Sequence, residues 1–494
     1  MSKAHHALIL GLGSSGLAMA SWCARAGGQV TVADTRAAPP QLAALRARLP
    51  TVTFVQSDMS AALLLSGPFD RVLKSPGLSP QAVSSVMSAA QGESIPCGNE
   101  LSLFAEALAG LKTERGYVPQ VIGITGTNGK TTVTALTGKL VGDAGKSVAV
   151  AGNIGPTLLE TLTSRIDTDT LPEVWVLELS SFQLDGIENF EPSVATVLNI
   201  TQDHLDWHGS LAAYAEAKTR IYGRGQMLLN RDDPLVMAAV PPLVKGKPLR
   251  THITFGSDEP RRPGDYGLES VNGMTWLVRA LEADETIRRK KGEEVALHIQ
   301  RLMPADALRI RGRHNAVNAL AALALAVSIG CALAPLLHSL RDYRGEPHRV
   351  ESVATLDEVE YFDDSKGTNV GATVAALVGL GAERRLVLIA GGEGKGQDFS
   401  TLADPVSRYV RAVVLIGRDA PRIEAALAAS GVAVITAASL PVAVALAAQQ
   451  ARPGDAVLMS PACASFDMFD DYEHRARVFV QAVQSLAHDK GHPA

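Results

Sequence analysis

The residues best equipped for chemistry in this chain stand in short runs where glycine, lysine, serine, threonine and acidic side chains follow apolar stretches. The sharpest run is Ile124-Thr-Gly-Thr-Asn-Gly-Lys-Thr-Thr132. An apolar strand leads into Gly126, Thr127, Asn128 and Gly129, then Lys130, Thr131 and Thr132 open helical sequence. Backbone N–H groups of such a loop cradle phosphates, its lysine reaches the β and γ oxygens, and Thr131 is placed to ligate Mg²⁺. Position 124 is Ile where the strict pattern has its first glycine. The remaining G-x-x-G-K-T core also suits a structural loop without nucleotide.

Gly11-Leu-Gly-Ser-Ser-Gly16 is a second glycine loop, and Asp34 follows eighteen residues after Gly16. Glycines let the backbone approach a diphosphate at a helix N-terminus, so a bound dinucleotide is one reading and a bare βα turn the other. Arg36 suits a nucleobase or a phosphate. Glu178 and His204 each follow an apolar strand, where α/β proteins bind ligands. Alone they read as a solvated acid and a histidine satisfied in a turn; beside a phosphate loop they become candidate Mg²⁺ ligands. Lys218 reads as an ordinary exposed helix lysine. Downstream, DDSKGTN (363–369), GGEGKG (391–396) and SPACASFD (460–467) follow apolar runs, and EPHR occupies 346–349. Small residues around a lone lysine can hold carboxylate and phosphate oxygens together, or simply turn the chain.

These loops need strands to present them. Apolar strand-like runs at 7–10, 29–33, 72–73, 121–125, 174–179, 194–199, 385–390, 412–416 and 456–459 alternate with helical sequence, including helices at 17–26 and 101–109. The chain therefore reads as α/β, in units 1–115, 116–345 and 346–494, with a charged linker at 112–120 and a surface meander at 256–291. At 494 residues and 46% apolar composition, several packed cores are expected and disorder is excluded. A formal charge of −5 argues against a global nucleic-acid-binding surface. Four scattered cysteines fit reduced thiols in a cytoplasm. The run 7–24 imitates a signal-peptide core but carries the glycine array. The Ala-rich run 318–337 is long enough to span a bilayer, yet polar residues, Gly330 and Pro335 interrupt it, so it reads as a buried helix and the chain as free of membrane spans.

In order along nearly the whole chain, GTNGKTT, ELSSFQL, NITQDHLD, AYAEAKTRIY, GRHNAVNALAA, EPHRVE, DDSKGTN, GGEGKG and SPACASFD resemble the Mur ligase family, ATP-dependent amino-acid ligases of peptidoglycan precursor synthesis. DDSKGTN followed by SPACASFDMF is most similar to its D-glutamate-adding members, and no DNPR-type motif of diaminopimelate-adding members is found. The resemblance implies a Rossmann-like N-terminal domain, a central ATPase-type domain and a Rossmann-like C-terminal domain. It implies a cytoplasmic monomer acting on UDP-N-acetylmuramoyl-L-alanine, D-glutamate and ATP, with no nucleic-acid or membrane partner.

By the same resemblance, Gly126, Thr127, Asn128, Gly129, Lys130, Thr131 and Thr132 would hold the ATP phosphates. Thr131 and Glu178 would share one Mg²⁺, and His204 would ligate a second. Lys218 matches a lysine carried as a carbamate that supports the metals. Asn315, Arg349 and Asp364 match positions around adenine, ribose and phosphates, and Lys366 one near the transferred phosphoryl group. Ser14 and Ser15 would approach the UDP diphosphate, Asp34 and Arg36 would flank the uracil, and Ser75, Gly77 and Asn153 would complete that pocket. Thr368, Lys395, Ser465, Phe466 and Tyr472 would hold the D-glutamate carboxylates. Serines at 14 and 15 and tyrosine at 472 are not uniform in the family. The rival readings are an NAD(P)-dependent oxidoreductase, a nucleotide-binding module without chemistry, and a ligase of the same family with another substrate.

Overall fold

The computed structural model describes residues 5–242, 250–284, 296–382 and 384–490. They form two compact units, one from 1–200, 204–254 and 321–336, the other from 201–203, 255–320 and 337–494.

In the first unit, His6–Leu10 pairs in parallel with Gln29–Asp34 on one side and Arg71–Lys74 on the other. Thr53–Gln56 and Cys97–Gly98 extend the sheet outward. A second sheet in the same unit runs Gln226–Asn230, Val194–Val197, Gln120–Thr125, Val174–Glu178, Val148–Gly152, all parallel. These strands are apolar on consecutive residues because helices cover both faces, as buried parallel sheets require. One continuous core joins the two sheets, running from Ile9 and Leu17 through Phe104 and Trp175 to Ile221. In each sheet the chain reverses its strand order beside the first strand. The loops after that strand and its neighbours therefore open a crevice at their C-terminal ends.

The second unit holds a third sheet, in the order Glu351–Leu356, Val359–Asp363, Ala456–Met459, Leu386–Gly391, Val410–Ile416, Ala433–Thr436. All its pairings are parallel except the first, an antiparallel hairpin. Alternate residues of Leu386–Gly391 enter two separate cores, Leu388 in one and Ile389 in the other. Tyr266–Val271, Met274–Glu282 and Leu297–Pro304 form an additional antiparallel sheet.

Several sequence expectations are corrected here. The Ala-rich run is two helices, Arg313–Ser328 and Leu333–Asp342, interrupted where Gly330 takes φ +84°. No helix of the described residues is long and apolar enough to cross a membrane. The linker is short, because the helix Glu100–Arg115 absorbs 112–115 and ends on left-handed Gly116. The expected meander contains paired strands, and its part from 285 to 291 lies outside the described residues.

Candidate functional site

At the crevice of the second sheet, the strand Gln120–Thr125 delivers the phosphate loop. Gly129 caps the helix Lys130–Asp143 at φ +82°, a conformation that costs glycine little and other residues more. The Lys130 Nζ donates to the carbonyls of Gly126 and Thr127, each at 2.8 Å. Asn199, just past the neighbouring strand, braces the loop. Its carbonyl accepts from Thr127 N at 2.9 Å, its Oδ1 from Asn128 N at 2.8 Å, and its Nδ2 donates to Asn128 O at 3.1 Å. Thr131 and Thr132 are buried in the first helical turn.

Lys218 is not a surface lysine. It is 1% exposed, because the helix Leu211–Thr219 turns it inward beneath the loop. Its Nζ donates to Gly126 O at 2.8 Å and lies 4.6 Å from the centre of the Tyr214 ring, while Tyr214 OH bonds Thr127 Oγ1 at 3.2 Å. Glu178 ends the strand Val174–Glu178, also 1% exposed. Its Oε1 accepts from Asn153 Nδ2 at 2.9 Å, whereas Oε2 is buried with no hydrogen-bond partner among the described residues. A buried carboxylate oxygen left without a donor is costly, and a cation would satisfy it. A hard cation such as Mg²⁺ suits this carboxylate oxygen.

His204, left-handed at φ +52°, packs edge-on against Phe182 at 4.7 Å. Phe182 also contacts Trp207 and His208. Burial pushes the His208 imidazole down to about 4, so it is neutral where it meets Ser181 Oγ at 2.9 Å.

The other crevice of this unit is a cavity of about 600 Å³. All seven residues expected at the UDP end, Ser14, Ser15, Asp34, Arg36, Ser75, Gly77 and Asn153, line it. Gly16 must lack a side chain, because a Cβ there would collide with Gly11 O. Ser75 Oγ donates to the same carbonyl at 2.9 Å. Asp34 accepts from Leu12 N at 2.8 Å and takes a two-pronged contact from the Arg36 guanidinium, both at 2.9 Å. Burial opposes ionisation of Asp34, but these donors outweigh it and lower its carboxyl to about 2. The two residues expected on either side of a base thus bind each other.

In the second unit, three expected loops leave the C-terminal ends of adjacent parallel strands. Asp364, buried, accepts from Ser460 Oγ at 2.6 Å. Glu393 and Ala464 exchange backbone hydrogen bonds at 2.9 Å, tying GGEGKG to SPACASFD. Lys395 lies over Phe466 and Lys366 over Tyr472, at 5.6 Å and 5.2 Å to the ring centres. Ser465 is buried and Thr368 half-buried beside them. Asn315 is buried but spends its amide on Arg311 O, at 2.8 Å. Arg349 bears electrostatically on Asp364.

Family models match residues 5–97 as a Mur ligase MurD-like N-terminal domain, 124–326 as a Mur ligase middle domain and 348–463 as a Mur ligase glutamate ligase domain. The chain is 66% identical over 491 residues to UDP-N-acetylmuramoylalanine–D-glutamate ligase of Albidiferax ferrireducens, covering 98% of this chain and 97% of that protein. The chain belongs to the Mur ligase family. The like-named protein of Ralstonia nicotianae is 58% identical over 496 residues, 98% of this chain and 97% of that protein. Among solved structures, the MurF ligase of Thermotoga maritima in complex with ADP superposes with a TM-score of 0.58 at 15% identity, covering 98% of this chain and 97% of that one. The UDP-N-acetylmuramate–alanine ligase of the same organism gives 0.53 at 22%, covering 97% and 99%. The fold is thus the three-domain α/β architecture of Mur ligases.

Two further residues of this Mur ligase hold loops in roles that sequence reading did not assign. Arg475 is fully buried and donates to Cys463 O at 3.1 Å and Ser365 O at 2.7 Å, joining two of the C-terminal loops. His348, at φ +64°, bonds Asp363 Oδ2 through Nδ1 at 2.7 Å. Charge patterning offered no signal for either.

Asp364 supplies a stability prediction. Burial, opposed by Ser460 and Arg349, pushes its carboxyl up to about 7. Its neutral form is thus favoured in the folded chain, a contribution complete below the ordinary carboxylate value near ~3.9 and lost as pH rises toward 7. The ligand-free protein should lose stability over that window, by about 4 kcal/mol at most from this group. Asp364→Asn should flatten the slope in denaturant titrations run from pH 4 to 7. Parallel curves would refute the assignment.

Proposed function

We propose that this chain is an ATP-dependent ligase that joins D-glutamate to UDP-N-acetylmuramoyl-L-alanine through an acyl phosphate, in the cytoplasm. The observation that carries the reading is one unit holding both a phosphate loop beside a carboxylate with an unpartnered oxygen and a cavity lined by every residue expected for the UDP end. The choice of D-glutamate follows the names of the 56–66% identical relatives.

The chemistry answers to charge. A carboxylate does not accept an amine, because its leaving group is too poor, and transfer of the ATP γ-phosphoryl group makes it an acyl phosphate the amine can attack. Gly126, Thr127, Asn128, Gly129, Lys130, Thr131 and Thr132 would hold the phosphates, with Lys130 following the transferred charge. Thr131, Glu178, His204 and Lys218 as a carbamate would hold two Mg²⁺, which when bound neutralise the crowded anions. Asn315, Arg349 and Asp364 would take the nucleoside end of ATP, and Lys366 the phosphoryl group in transfer. Thr368, Lys395, Ser465, Phe466 and Tyr472 would orient the incoming D-glutamate. Ser14, Ser15, Asp34, Arg36, Ser75, Gly77 and Asn153 would fix the UDP end, so that binding far from the reacting carboxylate positions it.

Phosphate release from ATP with Mg²⁺ and UDP-N-acetylmuramoyl-L-alanine, offered D-glutamate, L-glutamate and other amino acids separately, tests this. Release that requires D-glutamate is expected. Release with another amino acid would discard the specificity, and none with any would favour a binding module. A nicotinamide-dependent absorbance change would favour the oxidoreductase. Lys395→Ala should raise the KM for D-glutamate roughly 10- to 100-fold, with the KM for ATP little changed, in steady-state assays. An unchanged KM would remove Lys395 from that site.

A further inference from the structure

The helix Glu100–Arg115 begins with two buried polar residues outside every motif considered above. Asn99 accepts from Ser102 N at 3.1 Å and donates through Nδ2 to Gln183 O at 2.9 Å. Glu100, 1% exposed, accepts through Oε1 from Leu159 N at 3.0 Å. Leu159 lies in the first turn of the helix Leu158–Asp167, whose Thr157 cap makes no side-chain capping bond. The hydroxyls of Ser15 and Thr157 and the amide of Leu158 also bear on the Glu100 carboxyl, yet its Oε2 completes no hydrogen bond among the described residues.

Ser15, Thr157 and Gln183 all line the cavity assigned to the UDP end. Asn99 and Glu100 therefore stand behind the lining of that cavity, Asn99 bonded to Gln183 and the Glu100 carboxyl beside Ser15 and Thr157. We propose that Glu100 is a positioning residue for the nucleotide, tying the glycine loop to the N-terminus of the helix Leu158–Asp167 and presenting the Ser15 hydroxyl to the diphosphate. The inference rests on the nucleotide reading of that cavity given above.

Charge and geometry agree on how it acts. An ionised carboxylate one residue behind a diphosphate would repel it in a low-dielectric wall. Burial, only partly opposed by the surrounding donors, pushes the Glu100 carboxyl up and favours its neutral form. A neutral carboxyl keeps Oε1 as the acceptor for Leu159 N and turns Oε2 into a donor toward Ser15 Oγ. Ser15 then has its own O–H left for a phosphate oxygen. Glutamine offers the same acceptor and donor in the same shape, whereas alanine offers neither and orphans Leu159 N.

Calorimetric titration of the full-length wild type, Glu100→Ala and Glu100→Gln with UDP-N-acetylmuramoyl-L-alanine, and separately with MgATP, tests the proposal. Glu100→Ala should bind the UDP ligand about 10- to 100-fold more weakly, with ATP affinity within about twofold of wild type. Glu100→Gln should restore UDP-ligand affinity to within about threefold. Wild-type affinity in Glu100→Ala, or equal weakening toward both ligands, would overturn the positioning role while leaving the cavity reading intact. Failure of the wild type to bind the UDP ligand would overturn both. Should Glu100→Ala not fold, Ser15→Ala made in the Glu100→Gln chain must still weaken the UDP ligand about 10-fold, and an unchanged affinity there would overturn the proposal.

Discussion

Lys130→Ala should lower ATP-dependent phosphate release roughly 10³-fold or more while affinity for UDP-N-acetylmuramoyl-L-alanine stays within about twofold. The asymmetry follows from where the two sites sit. Lys130 Nζ is held by the Gly126 and Thr127 carbonyls at the phosphate loop, whereas the cavity for the UDP end is lined by other loops of the same unit. With ATP bound, phosphate oxygens would compete for this ammonium against two neutral carbonyls, and the charge that develops during transfer favours the phosphates further. The loop itself should survive the change, since Asn199 braces Thr127 and Asn128 independently of the lysine. Single-turnover phosphoryl transfer and calorimetry on the same preparation separate the effects. Parallel loss of both would mean that the loop and the UDP cavity are not the separate sites proposed here.

What could be read from the sequence was whatever depends on local order. Gly126, Gly129 and Lys130 span one short loop and the start of the helix after it, and the seven residues expected at the UDP end come from four short segments at the ends of strands. Parallel strands place such loops together at one edge, so reading strands was nearly enough to read the cavity. Contacts made across the fold were opaque. Nothing in AYAEAKTRIY signals that Lys218 points inward, because the helix has no clear apolar face and its burial depends on the phosphate loop arriving from far upstream. Asn99 and Glu100 cap and open a helix, and their partners at 159 and 183 lie on two other helices far downstream in the chain. Arg475 was hidden for the same reason, a cation whose acceptors are backbone carbonyls that no residue type reveals. The hairpin Glu351–Leu356 to Val359–Asp363 escaped because its first strand is half polar, as an edge strand can be.

Lys218→Ala should lose activity on the order of 10³-fold, and a short carboxylate such as formate or acetate added to the assay should restore part of it. Two properties of the site make this the most discriminating change. Lys218 is buried against Gly126 O and Thr125 Oγ1, so truncation leaves a hole lined by acceptors next to the loop that would hold the phosphates. A carbamate on Lys218 would reach from the same place to support the two metals, one that Thr131 and Glu178 would hold and one that His204 would hold. If Lys218 acts as a carbamate, the missing feature is an anion, and a small carboxylate can diffuse in and supply it. If it acts as an ammonium bracing the Gly126 carbonyl, the missing feature is a cation, and a carboxylate added to that hole would worsen the charge balance. Loss with rescue therefore supports the carbamate, and loss that carboxylates leave unchanged or deepen would replace it with the bracing role. Thermal unfolding of the variant must accompany the assay, because a buried lysine's methylenes also pack, against Tyr214 among others. A variant that keeps its melting temperature and its UDP-ligand affinity while losing turnover places the defect at the phosphates, and the sign of the carboxylate response then decides which charge Lys218 carries during the reaction.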